Sequence, residues 1–372
     1  DLNYKNGLQS MDLNLEQFKG RLSLHPLKLE SFSGRVNWEN GWLSVRDFGG
    51  KMGDSDFRVD LVYGKEKDST ERKNEFRLRA KALDLDALMG FEGIKKDTNH
   101  QEAFNIFKLD FSEMSFVAEI GKLKYHTYWL EKINLKARTN PNHMLYLDSL
   151  TMRVADGSMG MKGYFNGSDP KNIYFYSDLK ADKMDIDRLL FKVENFGQDY
   201  LINENLKGRI SGTISSKFKV HPDLTPILDQ SEATMELKVY NGSLINFAPM
   251  QAMSAYFADR NLNNVRFDTL SNTFELKNGT LLIPKMDISS SLGFIELSGK
   301  QGLDMTMDYL ISVPLSMVTQ VGFRALFGKN RNEVDPDQED AIISRTEDRR
   351  LRFVNIRMTG TPDKYDVKLG RR

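Results

Sequence analysis

The sequence predicts a mostly β chain of antiparallel strands in repeating units, with only a few short helices. Three stretches, 36–62, 135–164 and 274–299, share one pattern: a strand, a turn centred on Asn or Gly, a strand, a sharp corner and another strand. Apolar and polar residues alternate singly along most of the chain, which is typical of strands with one buried and one solvated face. Helical periodicity is confined to short segments. Together these observations predict a modular β protein.

The repeat is visible in aligned residues. The segment Trp42–Phe48 matches Met144–Leu150 and Thr280–Met286 in the positions of its apolar residues. A second match joins 79–89 to 179–190, which gives the first two copies a period of about a hundred residues. Repeated units of this kind leave a face that the neighbouring unit covers. We therefore expect two related units followed by a further β module.

Strand and turn signals predict roughly twenty strands. In one example Phe57, Val59 and Leu61 alternate with charged residues, so that one face of the strand is apolar. Hairpin turns are predicted at four Asn-Gly pairs, because Asn and Gly tolerate the positive φ angles of a tight turn. These pairs are Asn40-Gly41, Asn166-Gly167, Asn241-Gly242 and Asn278-Gly279. Hairpins join antiparallel strands, so the sheet is predicted to be antiparallel.

Four segments carry helical signals. Short helical turns are predicted after Asp84 and Asp185, where Asp-x-Asp pairs can cap a helix N-terminus. Pro249–Asp259 and Pro314–Phe327 are amphipathic candidates that begin with proline, a residue suited to the first helical turn. Their apolar stripes predict docking on the sheet, with a groove plug or a membrane-lying helix as the alternative.

Composition argues against several functions. Lys and Arg together number 52, as do Asp and Glu, and this zero net charge argues against nucleic-acid binding. There is no cysteine and the five histidines are scattered, so neither a disulfide nor a metal site is predicted. No nucleophile elbow, phosphate loop or dinucleotide-binding turn occurs. We therefore predict that the chain is not an enzyme and needs no cofactor.

Two charged stretches, 65–75 and 329–350, are expected to be exposed or mobile loops. The second contains the acidic run 335–340, whose carboxylates are a possible calcium-binding feature. The run lacks the central glycine and the final glutamate of an EF-hand loop, and this favours a solvated helix start. No apolar run reaches the roughly 18 residues of a membrane-spanning helix.

The residues alone leave two arrangements open for the apolar faces. The few predicted helices cannot cover a sheet of some twenty strands. Either the sheet packs face to face as sandwiches, or it curls into a trough whose apolar floor takes an apolar ligand. The strand count alone favours sandwiches, because most all-β chains bury their faces in that way.

The region 208–313 resembles the C-terminal region of the AsmA family, a set of Gram-negative envelope proteins related to TamB. The resemblance lies in the order and spacing of turn glycines and alternating apolar residues. The segments 83–89 and 184–190 resemble the short strand–helix units that the family repeats. The matching runs are Lys207–Ile214, Asn241–Met250, Phe274–Leu281, Met286–Ser291, Ile295–Gly299 and Ile311–Pro314.

This resemblance implies both a fold and a function. The implied fold is an elongated, curled antiparallel sheet that forms an apolar groove, in a periplasmic and membrane-associated protein. The implied ligand is phospholipid or another acyl-chain lipid, with a membrane at one or both ends and other envelope proteins as further partners. The family's N-terminal membrane helix does not occur in this sequence, so we expect any anchor or export signal to lie upstream of it.

On this interpretation the chain has three parts: a first β repeat unit (1–100), a second β repeat unit (101–206) and an AsmA-like C-terminal β module with two amphipathic helices (207–372). The predicted lipid-groove lining is Phe57, Val59, Leu61, Phe76, Leu78, Phe116, Leu147, Met161, Phe175, Met235, Leu237, Val239, Phe274, Leu276, Ile295, Met305, Met307 and Tyr309. Residues predicted in helices at a groove end or at a membrane are Met250, Met253, Phe257, Leu315, Val318, Phe323 and Phe327.

The predicted function is non-enzymatic lipid binding and transfer that contributes to outer-membrane lipid homeostasis and envelope assembly. The alternative is a structural envelope spacer or adhesion module built of closed β-sandwiches. The two differ in one physical respect, which is whether protein or lipid covers the apolar faces.

Overall fold

The computed structural model describes residues 2–4, 8–21, 27–64, 73–89, 105–109, 111–125, 128–192, 204–251, 260–315, 339–344, 352–361 and 364–370. Within these residues the chain is mostly β, with three short α-helices, as predicted. The strands are β1 (Leu2–Tyr4), β2 (Leu8–Arg21), β3 (Lys28–Glu39), β4 (Trp42–Met52), β5 (Ser55–Gly64), β6 (Glu75–Asp84), β7 (Met114–Tyr125), β8 (Tyr128–Asn140), β9 (Met144–Val154), β10 (Gly157–Asn166), β11 (Ile173–Asp185), β12 (Leu206–Val220), β13 (Pro226–Ile245), β14 (Asn264–Lys277), β15 (Thr280–Ser290), β16 (Gly293–Gly302), β17 (Met307–Pro314), β18 (Phe353–Thr361) and β19 (Lys364–Gly370). The helices are α1 (Leu85–Met89), α2 (Ile186–Lys192) and α3 (Ala248–Gln251), with a 3-10 turn at Ile106–Lys108.

The chain divides into two compact units. Unit 1 comprises Asp1–Val154, Ser158–Leu179 and Val220–Thr225, and unit 2 comprises Ala155–Gly157, Lys180–Lys219 and Pro226–Arg372. The three-part division predicted from the repeat remains a prediction. Each unit is described by itself below.

In unit 1 each strand from β1 to β9 pairs with the next strand along the chain. All of these pairs are antiparallel except β6–β7, which is parallel, with Phe76 opposite Phe116. The prediction of an antiparallel sheet was therefore wrong at this one pair. The physical reason is the long connection between the two strands, which includes α1. A parallel pair needs a crossover of about a dozen residues or more, and hairpin signals cannot reveal one.

The Asn-Gly turns are confirmed at two of the four predicted places. Asn40 and Gly41 connect β3 to β4 with φ angles of 50° and 78°, and Asn278 and Gly279 connect β14 to β15 in the same way. Asn166 instead ends β10, and a longer loop follows it. The prediction of a turn at Asn241-Gly242 was wrong, because both residues lie inside β13.

Asn241 lies inside β13 in a left-handed conformation, with a φ of 48°. The register is the same on both sides of it, because Tyr240 pairs with Thr269 and Gly242 pairs with Phe267. A β-carbon at position 242 would lie 2.1 Å from the Phe267 ring. Glycine is needed here because the ring packs directly against the backbone, and the asparagine before it tolerates the left-handed conformation.

The aligned repeat segments share a β-bulge. In β4 the register shifts between Val45 and Phe48, and in β15 it shifts between Ile283 and Met286. In β9 the partners Leu147 and Leu150 show the same extra residue against β8. Each bulge places two apolar residues, three positions apart, on one face of the sheet. The sequence repeat therefore has a structural cause.

In unit 2 the strands β13 to β19 are each antiparallel to the next. Their apolar side chains form a buried core that contains Ile311, Val313 and Ile356, and the last two are fully buried. The core is built in register, because Met286, Leu297, Ile311 and Ile356 oppose one another across four neighbouring strands. We refer to this cluster as the C-terminal core.

The helix predictions are confirmed after Asp84 and Asp185, where α1 and α2 begin. The amide of Ala87 donates to the Asp84 carboxylate over 3.0 Å, which is an N-cap hydrogen bond. Of the candidate Pro249–Asp259, the described part lies in α3, and 252–259 lie outside the described residues. Pro314, predicted to begin a helix, ends β17 instead; Leu315 is helical, and 316–327 are likewise outside the described residues.

Candidate functional site

A continuous apolar face runs across strands β2 to β9 of unit 1. Residues that oppose each other directly in neighbouring strands lie on the same face of a sheet. One such row has an apolar residue in every strand from β2 to β9, and a second row covers β4 to β9. The first row is Leu13, Val36, Val45, Leu61, Phe76, Phe116, Ala137 and Leu147. The second row is Phe48, Val59, Leu78, Ala118, Leu135 and Leu150.

We call this surface the N-terminal apolar face. Of the predicted lining, the residues that the two rows bring together are Val59, Leu61, Phe76, Leu78, Phe116 and Leu147. Phe57 lies on the same face, next to Val59 in β5, opposite Ala80. At a strand spacing of about 4.8 Å, eight strands extend the first row over about 34 Å.

Most side chains of the N-terminal apolar face are only half-buried. Val59, Leu61, Phe76, Leu78 and Phe116 all retain solvent exposure. At the β2 end of the first row Leu13 is 46% exposed, whereas Ala137 and Leu147 at the other end are buried. Partial exposure of large apolar side chains in a continuous row is unusual for a closed protein core, where such residues are fully buried.

Aromatic rings pack against one another on the N-terminal apolar face. Phe32 packs edge-on against Phe48 and Phe57, with ring centroids 5.9 Å and 6.0 Å apart. Phe76 and Phe116 meet at 6.2 Å across the parallel strand pair. Edge-to-face contacts of this kind contribute about 0.5–1.5 kcal/mol beyond the area they bury. They hold the face together, with Phe32 buried and the other four rings half-buried.

The opposite face of the same strands is charged. Arg79 donates to Asp60 over 2.9 Å, and Arg138 holds Asp148 through two hydrogen bonds of 2.8 Å each. The hydrogen bonds from Arg138 lower the pKa of the Asp148 carboxyl, against the smaller opposing effect of burial. The two faces therefore differ strongly in polarity, as the single alternation of the sequence predicts.

A small cluster covers part of unit 1. Ile106 of the 3-10 turn is buried with Phe165 and Ile173, and Phe175 packs against them. The amide of Ile106 donates to the Pro222 carbonyl over 2.9 Å, which fixes the turn in place. Phe175, a predicted lining residue, is thus in contact with protein.

Two predicted lining residues belong to the C-terminal core. Ile295 and Met307 are buried in it, and Val239 and Tyr309 pack against it as half-buried neighbours. Here protein covers the apolar side chains, as in the closed-sandwich alternative. Similar apolar residues are therefore mostly half-buried on the N-terminal apolar face and covered by protein in the C-terminal core.

The remaining predicted residues lie in several places. Met235 and Phe274 oppose each other in β13 and β14, and both are half-buried. Leu237 and Leu276 in these strands, Met161 in β10 and Met305 in the turn before β17 are half-buried as well. Met250 packs against the C-terminal core, and the amide of Leu315 donates to the Arg352 carbonyl. Met253, Phe257, Val318, Phe323 and Phe327 lie outside the described residues.

Sequence reasoning missed a cavity of about 710 Å³ in unit 1. Residues of β3 to β8 line it, and they include both apolar and charged residues. Its lining consists of Ser31, Gly50, Lys51, Asp56, Phe57, Arg58, Arg79, Ala80, Lys81, Glu119, Ile120, Gly121, Lys132, Ile133 and Asn134. We call it the β3–β8 cavity. No motif marks it, because its residues come from six strands.

Sequence reasoning also misjudged the acidic run. Glu339 and Asp340, the described part of the run, bind basic residues of unit 2 rather than opening a solvated helix. Asp340 is buried, and its carboxylate accepts a hydrogen bond of 2.8 Å from the Asn261 amide and lies 3.5 Å from Arg260. Arg266 donates to Glu339 and to the Asp340 carbonyl.

Among the described residues, no group of three or more His, Asp or Glu side chains is arranged to hold a metal ion. Within the same part of the chain, no helix has the length and apolar character required to span a membrane. Comparison of the chain with protein-family models, with curated proteins and with solved structures finds no match. The AsmA resemblance therefore remains a prediction from the sequence.

Proposed function

We propose that this chain is a non-enzymatic protein that binds and transfers phospholipids or other acyl-chain lipids. The observation that carries the proposal is the N-terminal apolar face, whose rows are apolar without a break and whose large side chains stay half-buried. An acyl chain lying on this face loses contact with water at each methylene. Each buried methylene contributes about 0.8 kcal/mol, so a chain needs no specific polar contact to bind.

The setting proposed for this activity is the periplasm, in association with a membrane and with other envelope proteins. This part of the proposal rests on the AsmA resemblance. Tyr125 and Trp129 near the β7–β8 connection support a membrane contact, because they are 45% and 48% exposed. Tyr and Trp are enriched where proteins meet the membrane–water interface. A role in outer-membrane lipid homeostasis follows from the same resemblance.

Lipid that co-purifies with the protein tests the proposal. The protein is purified without detergent, and its bound lipid is extracted and identified by mass spectrometry. We expect phospholipid in stoichiometric amounts. A lipid-free protein that stays folded and soluble, and that takes up no lipid from vesicles, contradicts the proposal.

A substitution tests whether lipid or protein covers the N-terminal apolar face. We expect Leu78→Asp to fold, with a melting temperature close to that of the unchanged protein, and to lose bound lipid, because the new charge faces solvent or ligand. Ile311→Asp in the C-terminal core is the matched comparison, since it buries an unpaired charge and should unfold unit 2. If Leu78→Asp unfolds as readily as Ile311→Asp, protein covers the N-terminal apolar face and lipid does not.

The closed-sandwich spacer remains the second candidate, and the C-terminal core is the observation that favours it. The Leu237→Asp variant in β13 distinguishes this structural role from lipid binding. A lipid-binding surface in unit 2 predicts that this variant folds and binds less lipid. A purely structural unit predicts that it is destabilised without any effect on lipid content.

A further inference from the structure

One edge of the strand β19 is open. The strand pairs with β18 along its whole length, and no bulge interrupts the register. No other strand of unit 2 in the described ranges pairs with β19, so its second edge presents backbone N–H and C=O groups to solvent. Proline is absent from its seven residues. The backbone of β19 is therefore able to pair with a further strand.

The C-terminal core is incomplete at this edge. Leu369 opposes the fully buried Ile356 and so extends a row of core residues into β19. Leu369 is nevertheless 62% exposed, more than any other large apolar side chain in the described part of the chain. Tyr365 and Val367 pack against the same core and are half-buried. A further strand beside β19 would continue this row and bury its exposed end.

The other face of β19 carries charges of alternating sign. Lys364, Asp366 and Lys368 are exposed on it. Lys368 forms an ion pair with Asp366 of its own strand and lies opposite Arg357 in β18. Arg357 in turn binds Asp308 of β17 over 2.7 Å. Like charges in opposing positions repel, so a carboxylate on the open side of Lys368 would be favourable.

Two copies of β19 are complementary to each other when they pair antiparallel around Val367. Val367 then lies opposite Val367 of the second copy. Asp366 lies opposite Lys368 of the second copy, and Tyr365 lies opposite Leu369 of the second copy. Two-fold symmetry makes each of the last two pairs occur twice. All cross-strand pairs of the ion and apolar type are favourable in this register.

The charges of β19 disfavour the neighbouring registers. A centre at Asp366 would set two aspartates opposite each other, and Lys364 opposite Lys368. A centre at Lys368 would set two lysines opposite each other. A centre between two residues would set a charged side chain opposite an apolar one, because successive side chains point to opposite faces. The pairing centred on Val367 is therefore the one that the side chains select.

We propose that β19 binds β19 of a second copy of this chain, antiparallel and centred on Val367, so that the C-terminal cores of the two copies join across one sheet. Backbone hydrogen bonds supply the attraction in such strand pairing, and side chains select the partner. This inference is independent of the proposed lipid binding. An edge of seven residues gives an interface at the small end of the observed range, so the dimer forms at micromolar concentrations.

A charge exchange tests the partner and the register together. The full chain is studied by analytical ultracentrifugation over a series of concentrations, alone and as the variants Asp366→Lys and Lys368→Asp. Each variant sets like charges opposite each other, and we expect its dimer to be weaker by about tenfold or more. An equimolar mixture of the two variants should regain the original affinity, because each supplies the charge that the other lacks.

The matched control exchanges charges elsewhere. Asp178→Lys and Lys162→Asp change the net charge equally, at an exposed ion pair between β10 and β11. Each control variant alone should dimerise as the unchanged protein does. Charge variants of β19 that dimerise normally, or a mixture that regains no affinity, overturn the proposal. A chain that stays monomeric at about 100 μM also overturns it, and leaves the edge to a strand of another protein.

A disulfide locates the contact independently. The chain has no cysteine, so a single introduced cysteine reports on one position. Val367→Cys sets two thiols opposite each other, with a Cα separation of about 4.5–5.5 Å that a disulfide can bridge. Leu369→Cys is the control, because in this register its two copies lie about 13 Å apart along the strands.

We expect Val367→Cys to form a covalent dimer under mild oxidation. Leu369→Cys should remain largely monomeric, although position 369 is the more exposed of the two. Random collision predicts the reverse order, because it favours the more exposed thiol. Cross-linking that is faster at 369 than at 367 would therefore overturn the proposed pairing of the two strands.

Discussion

The two Asp-x-Asp pairs that begin α1 and α2 occupy equivalent places in the repeat but differ electrostatically. Burial would raise the pKa of Asp84, but hydrogen bonds from the Ala87 amide and from Lys124 outweigh it and lower that pKa. Burial and a hydrogen bond with Asp187 raise the pKa of Asp185 instead. At the second pair the lysine, Lys207, binds Asp187 over 3.1 Å. One copy thus stabilises an ionised carboxylate at the strand end and the other copy disfavours it.

We predict that Asp84→Asn lowers the free energy of unfolding by about 1.5–3 kcal/mol at pH 7, the range for a hydrogen bond to a charged group. A lowered folded-state pKa means that ionised Asp84 stabilises the fold above its unfolded value of 3.8, and that this stability is lost as the pH falls through the folded value. Urea unfolding at several pH values measures the difference. The difference in free energy of unfolding between the variant and the unchanged protein should shrink in acid. A difference that is constant with pH contradicts this prediction.

We expect the equivalent substitution in the second copy, Asp185→Asn, not to lower the free energy of unfolding. The raised pKa of Asp185 means that its contribution to stability is complete below 3.8 and is lost as the pH rises through the folded value. Asp185→Asn therefore leaves the free energy of unfolding at pH 7 unchanged or raises it by up to about 1 kcal/mol. Asp178→Asn is a suitable control, since its ion pair with Lys162 is exposed and contributes little. A loss as large as that of Asp84→Asn would show that the two sites are equivalent.

Some residue-level features could be predicted from the sequence and others could not. The cap at Asp84 was predictable, because an Asp before a short apolar segment has a local role. The position of Asn241 and Gly242 inside β13 was not, because an Asn-Gly pair with a positive φ angle is typical of a hairpin turn. The Phe267 ring packs over Gly242 in the strand, and that ring is distant in sequence.

At the scale of elements, the crossover between β6 and β7 organises unit 1. Six strands, β1 to β6, precede α1, and five strands, β7 to β11, lie between α1 and α2. The crossover makes β7 parallel to β6, so the apolar rows continue from one set of strands into the next. Lys124 at the end of β7 binds Asp84 at the end of β6 over 2.9 Å and fixes this junction.

A second element-scale feature is the segment 339–344 of unit 2. The amide of Ile343 donates to the Ser290 carbonyl over 2.9 Å, and Asp340 binds Asn261 at the other end of the segment. The sequence predicted an exposed loop here, and for buried Asp340 this was wrong. A charged run carries no sign of its partner when the partner basic residue lies some seventy positions away, as Arg266 does from Glu339.

We predict that Asp340→Ala releases this segment. The change leaves the Asn261 amide and Arg260 without their acceptor, which costs about 1–3 kcal/mol locally. Hydrogen exchange at the Ile343 amide should accelerate at least about tenfold, by the conversion of 1.4 kcal/mol to tenfold, while exchange in β17 stays unchanged. Glu339→Gln is the control, because that side chain is largely exposed. Unchanged exchange at Ile343 would show that Asp340 does not hold the segment.

At the scale of the whole molecule, the proposed lipid binding depends on what covers the apolar residues. Alternation and turns predicted a mostly β chain, and the aligned apolar pairs such as Val45 and Phe48 reflect bulges that recur in three strands. The same alternation predicted the lining in both units without separating them. It could not do so, because period-two patterns report which face is apolar and carry no information on what packs against it. The structure distinguishes the two units, because Ile295 and Met307 are buried whereas Val59 and Leu78 are half-buried.

Photolabelling by a lipid tests the central claim most directly. A phospholipid with a photoreactive diazirine at the end of one acyl chain is supplied in vesicles, the mixture is irradiated, and labelled peptides are mapped by mass spectrometry. We predict labels on β5, β6 and β7, at or beside Val59, Leu78 and Phe116 on the N-terminal apolar face, and none on the buried Val313 and Ile356 of the C-terminal core. A folded protein that acquires no label, or acquires it only outside these three strands, would contradict the proposal that this face binds acyl chains.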